Sequence, residues 1–180
     1  MKEKVEEYLG EFVYGAIDGT VTTFAVVAAS AGAGLSPIVI IVLGLANLIG
    51  DGFSMGASAY LSAKSQRDLK AKKNEDTAGE TPLGDGVATF ISFVLVGFVP
   101  VLPYVSDALF ALKTPKEALF AISTGLAALT FVAIGLLKAR VTRTGRARAA
   151  VETFLLGAVA AGMAYGLGYV LEKALTSTAS

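Results

Sequence analysis

PIVIIVLGLANLIGDGFSMGASAYLSA, residues 37–63, contains one charged side chain, Asp51, set between long apolar runs. Its apolar residues follow one another without a break, instead of recurring every three to four residues as on an amphipathic surface helix. A bilayer core of about 30 Å is crossed by roughly 20 such residues in a helix, so the segment reads as a membrane span. Four further segments share its character: 12–34, 84–105, 116–137 and 149–171. The expected fold class is an all-α integral membrane protein of five transmembrane helices, forming one domain over residues 1–180. Composition agrees: 54% of residues are hydrophobic, 17% are charged and mean hydropathy is +0.64, against about 25% charged in soluble domains. Little chain remains for a separate soluble domain.

Net charge is zero, from 15 basic and 15 acidic residues, so the placement of the basic ones is what informs. Lys64, Arg67, Lys70, Lys72 and Lys73 follow the second span, and Lys138, Arg140, Arg143, Arg146 and Arg148 separate the fourth from the fifth. Cytoplasmic loops carry the excess of Lys and Arg. The two basic loops are therefore expected inside, with the N-terminus cytoplasmic and the C-terminus outside or lumenal. Residues 1–11 are charged and lack the apolar core and cleavage site of a signal peptide, so the first span is read as retained.

Cysteine and histidine are absent. That removes disulfides, Cys/His zinc sites, haem ligation and Ser/His or Cys/His nucleophiles, so no enzyme is expected. Residues 32–37 form a tight turn, with Ser36 as N-cap and Pro37 at the first helical position, joining spans one and two as an antiparallel hairpin. Residues 65–83 are the one sizeable polar linker, and Pro100 and Pro103 should end or kink the third span. Gly15/Gly19, Gly52/Gly56 and Gly162/Gly166 have the G-x-x-x-G spacing that lets helix backbones touch. Close packing of spans one and two is expected, within the chain or across a dimer axis.

Carboxylates inside a span are costly and are functional candidates by default. At 1.5 Å per residue, Asp18 lies about 9 Å and Asp51 about 18 Å from the expected cytoplasmic ends of their spans. Residues three or four apart share a helix face. Glu7, Glu11, Tyr14, Asp18 and Thr22 form one polar stripe, and Asn47, Asp51, Ser54 with Met55, Ser58 and Ser62 form another. Two stripes on a hairpin would line a groove, with Met55 about 12 Å deep and near the level of Asp18. A thioether beside carboxylates suits a first-row ion such as Fe²⁺ better than Ca²⁺ or Mg²⁺.

Plainer readings exist for each residue. An intramembrane Asp can hydrogen-bond a neighbouring helix, Met55 can be packing, and Glu7 and Glu11 can be a solvated face. Asp85 reads as an N-cap of span three. The basic clusters read first as topology signals and second as lipid head-group sites.

YGAIDGTVTTFAVVA, from Tyr14, and GLANLIGDGFSMGASAYLS, from Gly44, resemble the vacuolar iron transporter and yeast Ca²⁺-sensitive cross-complementer family. The resemblance extends more loosely to TFISF, from Thr89, and to residues 100–104. It implies a homodimer joined through spans one and two, and export of Fe²⁺ or Mn²⁺ from the cytosol in exchange for protons. By the same resemblance, path residues fall on Asp18 and Met55 and an acidic entrance pair on Glu7 and Glu11. Family members usually carry a long Glu-rich cytoplasmic metal-binding domain between spans two and three. Here only residues 65–83 occupy that place, as in the shorter, nodulin-like members.

The sequence thus reads as a divalent transition-metal transporter. Glu7 and Glu11 gather cations, Asp18 and Met55 bind them, and Asp51, Asn47 and Ser54 line the onward path. Asp18 is the candidate for proton coupling, because burial favours a protonated carboxyl and a bound cation favours the carboxylate. The metal is substrate, with no permanently bound cofactor, and the expected partners are lipid, metal ions, protons and a second copy, with no nucleic acid. A facilitative channel, or a non-transporting module that anchors a metal-storage partner, are the alternative readings. The small linker and lack of targeting segments point to a prokaryotic plasma membrane, or a vacuolar-type membrane in a eukaryote.

Overall fold

A computed structural model describes residues 2–178, with side chains described over 8–177. Six α-helices follow in order: α1 (Lys2–Gly32), α2 (Pro37–Lys72), α3 (Pro82–Gly97), α4 (Leu102–Phe110), α5 (Lys116–Thr142) and α6 (Arg146–Thr178). A 3₁₀ turn, Val99–Val101, joins α3 to α4, and the three pieces together make one span, so five segments are long and apolar enough to cross a membrane. No strand occurs among the described residues. The chain is a multi-pass membrane protein.

Prolines set the break in the third span, as their ring predicts. Pro100 has no N–H for the carbonyl of Val96, and Pro103 has none for Val99. The chain tightens instead into the 3₁₀ turn, with the N–H of Val101 donating to the Phe98 carbonyl at 3.0 Å. A neighbouring helix uses the break: the Ser123 hydroxyl of α5 donates to the Pro100 carbonyl at 2.6 Å. Irregular backbone at membrane depth is tolerated where protein satisfies it in this way.

The turn between α1 and α2 is also legible in chemical terms. Gly34 takes a left-handed φ of 66°, the N–H of Leu35 donates to Ser30 and that of Gly34 to Ala31, closing α1 with a Schellman motif. Ser36 occupies the N-cap of α2 with Pro37 next to it, although its hydroxyl makes no cap bond. Its carbonyl does the work, accepting from the N–H groups of Val39 and Ile40.

α1 is the central helix, half-buried over its apolar window where α6 is 11% buried. It packs against α3, α6, α2 and α5. Phe24, Val27, Ile40, Val101, Tyr104, Leu119 and Phe131 fill the main core between these helices. The expected close pairing of spans one and two is only partly realised, because α3 shares more surface with each of them than they share with each other. The glycines explain why. A Cβ on Gly15 or Gly19 would meet the backbone of Thr89 or Phe93 in α3, and one on Gly56 would lie 2.8 Å from the Gly86 carbonyl. Gly162 and Gly166 have nothing within 4 Å, so the third such motif makes no contact within the chain.

α2 continues to Lys72, nine residues past the expected end of the second span, which shortens the linker to residues 73–81. Lys70 of α2 pins that linker through a 2.7 Å ion pair with Glu80.

Candidate functional site

α1, the far half of α2, the linker and the first turn of α3 enclose a cavity of about 530 Å³. Glu11 and Tyr14 enter it from α1, Met55, Ser58, Ser62 and Gln66 from α2, Glu80 from the linker and Asp85 from α3. The Thr89 hydroxyl, one turn beyond Asp85, lies 3.0 Å from a Glu11 carboxylate oxygen and 2.9 Å from the Asp85 carbonyl. Its single proton serves one acceptor at a time: the bond to Glu11 ties α1 to α3, and the bond to the Asp85 carbonyl stays within α3. Tyr8 hydrogen-bonds Thr81 at the same end and closes over Gly84. Lys70 lines the cavity next to Glu80, so an ammonium already stands where a cation would arrive.

Asp85 is a correction to the sequence reading. Thr81 holds the N-cap position, while Asp85 sits inside the first turn, 8% exposed and facing the cavity. The signal was its place in an Asp-Gly pair matching Asp18-Gly19 and Asp51-Gly52. Glu80 carried no comparable signal, because a linker residue has no periodicity from which to infer its direction.

The expected groove divides. Glu11 and Met55 come together in the cavity, and Glu7 lies on α1 with its side chain outside the described residues. Asp18 is half-buried one turn beyond Tyr14 and does not line the cavity, so it continues the same helix face deeper into the span. Asn47 donates to the Thr23 hydroxyl at 3.1 Å and is 3.4 Å from that of Thr22, tying α2 to α1 just beyond Asp18. Asp51 and Ser54 are exposed on the outer face of α2, away from the groove in which the sequence reading set them. Asp18 lies on α1 and Asp51 on α2. No hydrogen-bond or ion-pair partner among the described residues holds either carboxylate.

Glu11, Glu80, Asp85 and the Met55 thioether are the groups that could hold a cation in this cavity. Among the described residues no three of Asp, Glu, His or Cys converge closely enough to form a resident metal centre. The arrangement is a polar vestibule with Asp18 beyond it on the same face of α1.

The model of the VIT family matches residues 9–80 and 69–169, which together take in the vestibule, Asp18 and most of each of the five spans. The chain belongs to the VIT family. Among curated relatives it resembles the "Vacuolar iron transporter" of Plasmodium falciparum (isolate 3D7), 38% identical over 73 residues, and that of Toxoplasma gondii (strain ATCC 50861 / VEG), 41% identical over 71 residues. Each match takes in 39% of this chain, and 27% and 24% of those relatives respectively. The chain thus aligns with about a quarter of their length. As a VIT-family chain it places on α3 a vestibule carboxylate, Asp85, beside the stripes of the first two spans.

Replacing Glu11 by glutamine is expected to raise the concentration of metal that half-saturates the vestibule by about fivefold, the equivalent of about 1 kcal/mol for one screened charge. Titration with Mn²⁺, followed by its paramagnetic signal, measures this. An unchanged midpoint would remove Glu11 from the site.

Proposed function

We propose that this chain moves divalent transition-metal ions, Fe²⁺ or Mn²⁺, out of the cytoplasm in exchange for protons. The observation that carries the reading is the vestibule itself, with three carboxylates and a thioether, leading along one face of α1 to Asp18. The relatives' printed name, vacuolar iron transporter, supports iron as the substrate. Lys70, Arg67 and the α5–α6 loop bear the basic residues, which supports a cytoplasmic vestibule and a cytoplasmic N-terminus.

In this reading Glu11, Asp85 and Glu80 draw in the hydrated ion, and the arriving charge displaces Lys70 from Glu80. Met55 supplies a soft ligand as water is shed. Asp18 then trades its proton for the metal, since burial favours its neutral form and the cation its anionic form. Asp51 and Ser54 lie on the far side of α2, so they contribute to the path only if another surface faces them.

A second copy of the chain supplies that surface. Asp51 is exposed near mid-span, beside Ile49 at 60% and Phe53 at 71% exposure. A bare carboxylate facing lipid at that depth is strongly unfavourable. Pairing through α2 would cover it and bring two copies of Asp51 and Asp18 around one axis. Because the natural chain has no cysteine, Phe53→Cys provides a clean test. Oxidation in membranes is expected to give a disulfide-linked dimer through this residue, while Leu155→Cys on α6, 54% exposed, is not cross-linked. Equal cross-linking at both positions would overturn the α2 interface.

The substrate is tested by uptake into proteoliposomes. Fe²⁺ and Mn²⁺ should compete with each other and exceed Ca²⁺ by about tenfold, a preference of about 1.4 kcal/mol. Equal Ca²⁺ uptake would contradict a selective role for Met55.

A further inference from the structure

The polar stripe on α2 runs past Ser62, where the sequence reading ended it. Met55, Ser58, Ser62, Gln66 and Lys70 recur at helical spacing, share one face and all line the cavity of about 530 Å³. The Gln66 amide reaches back to the Ser62 hydroxyl at 3.4 Å. From Met55 to Lys70 the face runs 15 residues, about 22 Å, so the thioether lies deep and the ammonium stands at the mouth. Lys64, Arg67 and Lys72 of α2, and Lys73 at its C-cap, lie outside the lining. Among the described residues Lys70 is thus the one cationic side chain that faces the cavity. Its ammonium donates to Glu80 at 2.7 Å, the short end of the range for charge-assisted bonds, with Lys70 46% and Glu80 25% exposed.

Glu11, Glu80 and Asp85 carry three formal negative charges and Lys70 one positive, which leaves two negative charges among the described lining residues. One divalent ion matches that remainder. Two monovalent ions would have to be confined together to do the same, against their mutual repulsion. At Glu80 itself, a potassium ion that replaces the ammonium brings the same charge without its directed hydrogen bond. A divalent ion in that place doubles the Coulomb attraction.

We propose that Lys70 is a specificity-determining residue: a built-in monovalent cation that keeps potassium and sodium ions off Glu80 and yields to a divalent ion. This rests on the reading of the cavity as the place where metal enters. It sets the rejection of monovalent ions at the mouth of the vestibule, ahead of Met55, whose soft sulfur distinguishes one divalent ion from another.

The test is titration of the purified full chain with Mn²⁺, followed by its paramagnetic signal, in potassium chloride and in N-methylglucamine chloride of equal ionic strength. In the natural chain the two midpoints should coincide. Lys70→Gln should lower the midpoint about fivefold in N-methylglucamine, the most that an ion pair this exposed can withhold, and potassium should raise it again by about threefold. Lys70→Arg, which keeps the charge, should behave as the natural chain does. Lys73→Gln removes the same charge from outside the lining, and should shift both midpoints equally, by less than about twofold. Adding Glu80→Gln to Lys70→Gln should abolish the potassium effect, because the carboxylate that potassium reaches is gone. An unaltered midpoint in Lys70→Gln, no potassium effect in that variant, its persistence without Glu80, or the same response in Lys73→Gln would each overturn the proposal while leaving metal entry through the cavity standing. A natural chain with no saturable Mn²⁺ binding would overturn that reading, and the proposal with it.

Discussion

Gly19→Val should yield no folded, monodisperse protein from membranes, whereas Gly162→Ala should be indistinguishable from the natural chain. At Gly19 a Cβ would collide with the backbone carbonyl of Phe93, and a Cβ on the facing Gly97 would stand 2.7 Å from the Gly19 carbonyl. Both obstacles are backbone, so no side chain can rotate out of the way. α1 would have to leave α3, and with that separation go the Thr89–Glu11 bond and the wall of the vestibule. Overpacking of this kind costs about 1–3 kcal/mol where side chains can yield, and more where they cannot. Valine at Gly19 is therefore placed above about 3 kcal/mol, and alanine at Gly162, in open space, within about 0.5 kcal/mol. Thermal melting in detergent followed by size-exclusion fluorescence would measure both. A stable Gly19→Val protein would mean that α1 and α3 do not pack as described.

Asp18→Asn is expected to reduce Fe²⁺ flux about a hundredfold without unfolding the protein. Asparagine has nearly the same volume and leaves Gly15 and Gly19 undisturbed. The Thr22 hydroxyl bonds the Asp18 backbone carbonyl at 2.9 Å, so the helix keeps that link whatever the side chain. What the substitution removes is a half-buried group that can give up a proton and take a cation in its place. Losing a charged ligand there is worth about 3 kcal/mol, hence the hundredfold. The residual flux should no longer respond to a pH gradient. Asp51→Asn serves as the comparison: it retains Asp18 and should weaken flux less. Flux in Asp18→Asn equal to that of the natural chain would remove this residue from the path.

The five spans were legible because bilayer thickness imposes a length that apolar runs report directly. The proline break at residues 100–103 and the turn at 32–37 were legible for a local reason: missing N–H groups and a glycine at positive φ act on their own neighbours. What periodicity could not reveal was which helix faces which. Glycine spacing marked Gly15, Gly19, Gly52 and Gly56 as contact points, and all four do pack closely, but against α3 and not mainly between α1 and α2. A small-residue motif states that a backbone approaches, without naming the partner. The same limit explains Asp51, whose depth was readable while its outward direction depended on where α3 had inserted. Asp85 was masked by its position after Pro82, where an acidic residue ordinarily serves the helix terminus. Glu80 reached the vestibule through its ion pair with Lys70, a tertiary contact across the linker.

The central claim is that metal entry and proton release are one event at Asp18. Its most direct measurement is the internal pH of proteoliposomes containing the natural chain, with a trapped pH dye, equal pH on both sides and Fe²⁺ added outside. Antiport predicts that the interior becomes alkaline as Fe²⁺ enters, in proportion to the metal taken up, and that the response vanishes with Asp18→Asn. Fe²⁺ entry with no change in internal pH would contradict it and leave a channel.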